Sequence, residues 1–264
     1  MPHPIDHLLD VMTRLRDPQG GCPWDIEQTF ASIVPHTIEE AYEVAEAIEL
    51  GDIAQIKDEL GDLLFQVVFY AQIGREAGHF DFNVIAQGIA DKMIRRHPHV
   101  FGSAAVDSAE EQLVAWEALK AGERQDKADG RPPSALDGVS TALPAMTRAI
   151  KLQKRAGRVG FDWPEAAPVL DKIAEEAAEI KQEMANGADP ERLRDELGDL
   201  LFSVVNLARK LDIDPETALR AGNRKFERRF HAVEGALAAQ GRGPADATLD
   251  EMDSLWDAAK RQEV

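Results

Sequence analysis

One acidic stretch occurs twice in the chain without a change. The octapeptide DELGDLLF occupies residues 58–65 and again residues 195–202, and each copy follows an EExxE stretch, at 39–43 and 175–179. Acids three residues apart lie on one face of a helix, so two such helices joined by a short turn would direct four carboxylates into one space. These carboxylates are Glu40, Glu43, Glu59 and Asp62 in the first half, and Glu176, Glu179, Glu196 and Asp199 in the second.

Clustered carboxylates of this kind predict a divalent cation site. Like charges at this spacing oppose helix formation by about 0.2–0.5 kcal/mol per pair, and a bound cation removes that cost. Mg²⁺ takes oxygen ligands, commonly one or two carboxylates together with substrate phosphates. A solvated acidic face is the ordinary explanation of a single EExxE, but its repetition beside the same glycine and apolar stripe favours a site.

Two further pairs repeat in the same order behind the acidic motifs. Each half carries two cations four residues apart, and then a tryptophan four residues before a lysine. Each pair alone is typical of a charged helix surface or a core aromatic; together with a metal they suit a nucleoside triphosphate, whose base an aromatic ring stacks upon. The pairs are Lys92 with Arg96 and Trp116 with Lys120 in the first half, and Lys225 with Arg229 and Trp256 with Lys260 in the second.

The elements that carry these residues are predicted to be helices. Apolar residues recur at helical spacing and β-branched alternation is almost absent, so the fold class is all-α, with two tandem related helical bundles. A segment rich in Gly, Pro, Asp and Lys separates the halves. The predicted domains are 1–120, a linker at 121–144, and 145–264. The predicted helices span about 5–16, 37–50, 53–74 and 145–156, and the second EExxE helix runs to Asn186-Gly187. Later helices are opened by the caps Asp189, Asp214 and Thr248.

Composition excludes several classes of partner. The 264 residues include 48 acids and 30 Lys and Arg, a formal net charge of −18, which disfavours nucleic acid and anionic membranes. The single cysteine, Cys22, and the absence of a signal-peptide pattern predict a cytoplasmic protein. A phosphate-binding GxxxxGK[ST] loop and a Ser-His-Asp set are both missing, which leaves metal-activated water as the expected nucleophile.

The motifs together resemble the MazG family of nucleoside triphosphate pyrophosphohydrolases. The resemblance rests on GCPWD at 21–25, the two acidic motifs, RRHPHVF at 95–101, VGFDW at 159–163 and KFERRF at 225–230. It implies an all-α, Mg²⁺-dependent enzyme, with Mn²⁺ as a substitute, that hydrolyses NTP and dNTP to the monophosphate and pyrophosphate in house-cleaning of the nucleotide pool. It also implies a homodimer in which helices of both subunits complete the bundles.

The resemblance also implies roles for individual residues, with the C-terminal domain as the principal catalytic one. Glu175 is expected to position or deprotonate the water that attacks the α-phosphorus. The N-terminal acids are all retained, so a silent first half would need a geometric cause, such as Tyr42 closing the pocket or the inter-helix turn being one residue shorter. The implied metal ligands are Glu176, Glu179, Glu196 and Asp199; Lys225 and Arg229 bind phosphate; Trp256 and Lys260 contact base and phosphate.

Two other classes of protein compete with this interpretation. An all-α interaction module without catalysis would use the acids only for solubility, and would show no Mg²⁺-dependent change in melting temperature. A di-iron carboxylate bundle needs ExxH on two helices, and only Glu76 with His79 fits, with Gly78 between them.

Overall fold

The computed structural model describes residues 3–103, 108, 111, 112, 115, 116, 122, 134–187 and 189–263. Every regular element within these residues is helical, in agreement with the predicted fold class. The chain divides into two compact units, Met1–Lys120 and Ala121–Val264. Lys120 and half of the predicted linker lie outside the described residues.

The N-terminal unit is organised around a hairpin of two long helices, α3 and α4, against which α1 packs. A capping box between Thr29 and Ser32 opens α3, Gly51 ends it in the left-handed conformation, and Asp52 caps α4. The helices are α1 (Pro4–Leu15), α2 (Pro23–Glu27), α3 (Phe30–Leu50), α4 (Ile53–Glu76), α5 (Phe82–Arg96) and α6 (Pro98–Phe101).

The start of α3 differs from the prediction by seven residues. The predicted helix begins at about residue 37; Pro35 lies just before that point, and a proline inside a helix removes a hydrogen bond. In the structure α3 begins at Phe30 and includes Pro35. The reciprocal hydrogen bonds between Thr29 and Ser32 satisfy the first amides and fix this earlier start.

The C-terminal unit repeats the hairpin with α8 and α9, and α7 packs against α9. Its helices begin at the predicted caps: the side chains of Asp189, Asp214 and Thr248 accept hydrogen bonds from first-turn amides. The helices are α7 (Ala145–Arg158), α8 (Ala167–Ala185), α9 (Pro190–Lys210), α10 (Pro215–Ala238) and α11 (Leu249–Gln262), with a 3₁₀ turn at Pro244–Asp246.

Among the described helices, none combines the length and the apolar character needed to cross a bilayer.

Candidate active site

The second acidic motif pair forms a compact carboxylate cluster in the C-terminal unit. Glu176 lies on α8, and Glu196 and Asp199 lie one turn apart on α9. Oxygen atoms of all three approach one another within 4.8 Å. Glu176 is only 3% exposed, and a buried carboxylate requires a positive partner. The hairpin therefore brings together three of the four acids predicted as metal ligands.

The fourth predicted ligand, Glu179, lies beside this cluster, one turn beyond Glu176. Burial raises the pKa of the Glu179 carboxyl, and the negative charges of Glu176 and Glu196 raise it further. Both causes disfavour the charged form of the carboxyl, and a bound cation would favour it. Glu175, the predicted positioning residue, is exposed.

Lys172 supplies the positive charge next to the cluster. Its Nζ lies 2.8 Å from Oε1 of Glu176 and 3.0 Å from Oε1 of Glu175, and these contacts raise the pKa of the lysine. The sequence prediction missed Lys172. The signal was present, because a lysine four residues before a glutamate on a helix lies next to it.

A cavity of about 730 Å³ opens beside the carboxylates. Glu176, Asp199 and Lys172 lie at its wall, and much of the remaining lining is apolar or aromatic. Ligand sites typically combine such a lining with a few polar groups. The other residues that line it are Leu136, Leu152, Gln153, Ala156, Gly160, Phe161, Asp162, Trp163, Phe202, Ser203, Asn206 and Arg209.

The loop that carries Phe161 and Trp163 is fastened to the end of α9 by Asp162. One carboxylate oxygen of Asp162 lies 2.6 Å from Nη2 of Arg209, and the other lies 2.7 Å from Nζ of Lys210. The hydrogen bond from Arg209 is the main cause of the lowered pKa of Asp162. These ion pairs hold the two aromatic side chains at the cavity, a role that the sequence analysis did not assign.

The predicted basic and aromatic residues form a second group, on α10 and α11. The guanidinium of Arg229 lies 5.6 Å from the ring centre of Trp256 and its Nη2 lies 2.6 Å from Glu263. The ring of Phe226 lies 5.2 Å from that of Trp256. Lys225 and Lys260 are both exposed. None of this group lines the 730 Å³ cavity.

The first acidic motif pair forms a similar cluster in the N-terminal unit. Carboxylate oxygens of Glu40, Glu43 and Glu59 lie within 4.8 Å of one another, and Asp62 is not part of that group. Burial and the charge of Glu59 raise the pKa of Glu43. The amide Nε2 of Gln66 donates to Glu40 at 3.3 Å, so a neutral amide stands beside this cluster.

The surroundings of the N-terminal cluster are packed with side chains. Phe69 is 1% exposed and belongs to a core with Met12, Ile33, Val68 and Ile73. The ring of Trp24 meets Phe69 edge-on at 6.5 Å. Tyr42, the residue suggested to close this pocket, is 47% exposed, whereas Phe69 is buried in this part of the unit.

The remaining predicted features have less to contribute to a site. Glu76 is engaged by Arg16, whose Nη2 lies 2.6 Å from it, and His79 follows the end of α4. A di-iron site requires both residues of an ExxH pair on one helix, and Glu76 and His79 do not meet this requirement. Trp116 packs 6.2 Å from His97, while its predicted partner Lys120 lies outside the described residues.

Comparison with known proteins identifies relatives over almost the whole chain. A family model described as the MazG nucleotide pyrophosphohydrolase domain matches residues 28–101 and again 166–233. The nucleoside triphosphate pyrophosphohydrolase of Escherichia coli K12 is 51% identical over 261 residues, 98% of each chain. The nucleoside triphosphate pyrophosphohydrolase/pyrophosphatase MazG of Thermotoga maritima is 42% identical over 256 residues, 97% of this chain and 95% of that one.

Proposed function

The chain belongs to the MazG nucleotide pyrophosphohydrolase family and is a nucleoside triphosphate pyrophosphohydrolase, and we propose that its reaction takes place at the acidic cluster of the C-terminal unit. The products are a nucleoside monophosphate and pyrophosphate. The proposed substrates are both NTPs and dNTPs. The proposed role is that of a house-cleaning enzyme in the cytoplasm.

One observation carries this proposal: the C-terminal carboxylates open onto a cavity with aromatic walls. Glu176 and Asp199 line the same 730 Å³ space as Phe161, Trp163 and Phe202. A nucleotide needs an anion-binding end and an aromatic or apolar end, and this cavity offers both. At the N-terminal cluster the helix position that corresponds to the cavity wall carries the buried Phe69.

The residues present fit a hard divalent cation. Glu176, Glu196 and Asp199 offer three oxygen atoms within 4.8 Å of one another, and Glu179 lies beside them as a fourth carboxyl. We propose Mg²⁺, with Mn²⁺ as a substitute, because carboxylate oxygens suit both ions. When bound, the ion supplies charge for the phosphate oxygens and acidifies a water molecule.

Lys172 takes part in this site through its position between two glutamates. Its single positive charge is shared by Glu176 and Glu175 in the ligand-free protein. When a cation and a triphosphate arrive, its ammonium group is close enough to the cluster to turn towards phosphate oxygens. Glu175, thereby released, is placed to position or deprotonate the attacking water, as the resemblance implies.

The second group, on α10 and α11, is proposed to assist at the pyrophosphate and base. Lys225 and Lys260 are exposed, so each is available to bind phosphate, and Arg229 lies against the ring of Trp256. These roles rest on the family motif. They predict that Trp256→Ala raises KM and leaves kcat nearly unchanged, whereas a loss in kcat alone would contradict a binding role.

We also propose that the enzyme is a homodimer. The face of α9 that carries Leu197, Leu201 and Val204 leaves each of these side chains more than 40% exposed. Contiguous apolar surface of this kind commonly marks an interface. Light scattering after size exclusion is expected to give twice the 29.1 kDa chain mass, and a monomer at micromolar concentration would contradict the proposal.

The test of the function is pyrophosphate release from a panel of NTPs and dNTPs with Mg²⁺, with Mn²⁺ and with chelator. Glu176→Gln removes a buried metal-binding charge and is expected to lower kcat by about 100-fold or more. Glu191→Gln, an exposed acid on α9, is the matched control and is expected to keep wild-type activity. Full activity of Glu176→Gln, or activity in chelator, would overturn the assignment.

A further inference from the structure

Asn206 is a buried polar residue at the cavity wall that none of the preceding roles uses. It lies on α9, lines the cavity and is 7% exposed. Its Oδ1 accepts hydrogen bonds from Nε of Arg209 at 3.1 Å and from Nη2 at 2.6 Å. Arg209 in turn is held by Asp162.

The chemistry of Arg209 fixes which way the amide of Asn206 points. A guanidinium only donates hydrogen bonds, so the amide oxygen must face Arg209 and the amide nitrogen must face away from it. Within the described part of the chain, Nδ2 of Asn206 has no hydrogen-bond partner, and it is not among the polar atoms sealed from solvent. Two N–H donors of a residue that lines the cavity are therefore without a partner among the described residues.

The position of Asn206 relative to the carboxylates suits a nucleoside. It follows Asp199 by seven residues, close to two full turns, so both side chains leave α9 on nearly the same face. The rise of 1.5 Å per residue separates them by about 10 Å along the axis. Phe202 lies between them on the helix, and with Phe161 and Trp163 it gives the cavity an aromatic lining against which the edge of a base can lie, while the contact with Trp256 remains the one that the resemblance implies.

The internal repeat shows that this donor is not a requirement of the helix hairpin. The residue that corresponds to Asn206 in the first copy is Phe69, which is packed into the core. The same backbone therefore folds with an aromatic residue here. An asparagine that is nine-tenths buried, held on one side and unpaired on the other, calls for a partner that arrives with the ligand.

We propose that Asn206 is a specificity-determining residue: its Nδ2 donates a hydrogen bond to an acceptor atom of the base of a nucleotide whose phosphates lie at the carboxylate cluster. Asp162 and Arg209 are the positioning residues that hold the amide in this orientation. The proposal rests on the proposed function and adds to it a group that favours bases with an acceptor at the contacted edge over bases with a donor there.

Asn206→Asp tests this role because it separates structure from recognition. The aspartate keeps an oxygen towards Arg209 and exchanges the donors for an acceptor with nearly the same shape. A purely structural role predicts an equal or higher Tm and an unchanged KM, since an ion pair replaces a neutral hydrogen bond. Recognition predicts a KM raised by about tenfold, with kcat changed less than KM and Tm retained.

The matched control is Asn186→Asp, the same chemical change at the exposed C-terminal cap of α8, which is expected to keep the wild-type KM. The wild type is measured first, so absent pyrophosphate release would refute the proposed function and not this inference alone. If the wild type is active and Asn206→Asp shows the wild-type KM, the inference is wrong. On the triphosphate of ribose without a base, the KM values of wild type and variant should converge; a difference that persists would overturn the assignment to the base.

Discussion

In the N-terminal unit the helix that carries DELGDLLF continues with Gln66, Phe69 and Gln72, whereas the C-terminal copy has Ser203, Asn206 and Arg209 at the same places. Up to that point the two copies are identical, and both assemble three carboxylates with their EExxE helix. Beyond it, one unit packs Phe69 into its core, and the other has a cavity lined by two of its carboxylates.

The residues that lie next to the two carboxylate clusters also differ between the units. The residue four positions before the second glutamate of the EExxE motif is Lys172 in the C-terminal unit and His36 in the N-terminal unit. Lys172 lies 2.8 Å from Glu176, while His36 packs 5.7 Å from the ring of Trp24 and its Nδ1 lies 3.8 Å from Glu39. Retention of the acids alone therefore does not retain the site; the residues one and two turns away decide whether a substrate has room.

An ion pair holds the second helix of each hairpin, and the positions of its acid and its cation are exchanged between the two units. In the N-terminal unit the cation, Arg16, comes from the end of α1 and the acid, Glu76, from α4. In the C-terminal unit the acid, Asp162, follows α7 and the cation, Arg209, lies on α9. Only the second arrangement places a guanidinium and a carboxylate at the wall of a cavity.

The largest expected effect is on the stability of the fold, and it differs between the two units. Phe69→Ala removes a fully buried ring and should lower the free energy of unfolding by about 3–5 kcal/mol, without changing kcat of the folded enzyme. Phe202→Ala, in the C-terminal unit, should lower the free energy of unfolding only slightly because Phe202 is partly exposed. It should nevertheless raise KM. Urea unfolding and steady-state kinetics check both; a reversed pattern would contradict the comparison.

A smaller effect is expected from giving the C-terminal unit the N-terminal residue. Asn206→Phe places a ring in the cavity and should lower kcat/KM by about 100-fold while the protein stays folded by circular dichroism. Asn223→Phe, an exposed asparagine on α10, would not fill the cavity and serves as a control for the added aromatic. Unchanged kcat/KM in Asn206→Phe would mean that the substrate does not use this cavity.

The smallest effect concerns the N-terminal fastening and depends on pH. Hydrogen bonds from Arg16 and Gln72 outweigh burial and lower the pKa of Glu76. A lowered carboxyl pKa stabilises the fold above the ordinary value of 4.5, and this contribution is lost as the pH falls through the lowered value. Glu76→Gln should therefore cost about 1–3 kcal/mol at pH 7, since Glu76 is about one-third exposed, and progressively less below pH 4.5.

Thermal melts of wild type and Glu76→Gln from pH 7 to pH 3 check this dependence. Glu27→Gln, an exposed acid of the same unit, is the control and should show the wild-type Tm throughout. A stability difference for Glu76→Gln that does not shrink with falling pH would show that the ion pair is not its cause.

Much of this architecture could be predicted from local sequence signals. The caps Asp189, Asp214 and Thr248 marked helix starts because their side chains bond first-turn amides, an interaction confined to a few residues. The acidic motifs predicted carboxylate pairs on helix faces for the same reason. Such short-range geometry is set by helix periodicity, so it needs no knowledge of tertiary packing.

The cavity and its polar wall could not be predicted in the same way. Asn206 and Phe69 occupy equivalent places in two copies of one helix, and only packing against other helices shows that one is buried in a core and the other faces a space. The exposure of Tyr42 could not be predicted for the same reason, because exposure depends on neighbouring elements. The start of α3 was missed for a local reason, since the capping box formed by Thr29 and Ser32 was not recognised.

The most direct test of the central claim is pyrophosphate release by Glu59→Ala and Glu196→Ala, compared at saturating Mg²⁺ and substrate. The substitutions remove the same residue of the same octapeptide in the two units. If catalysis belongs to the C-terminal unit, Glu196→Ala is inactive and Glu59→Ala retains the wild-type kcat. Loss of activity in Glu59→Ala as a folded protein, or activity retained in Glu196→Ala, would contradict the account.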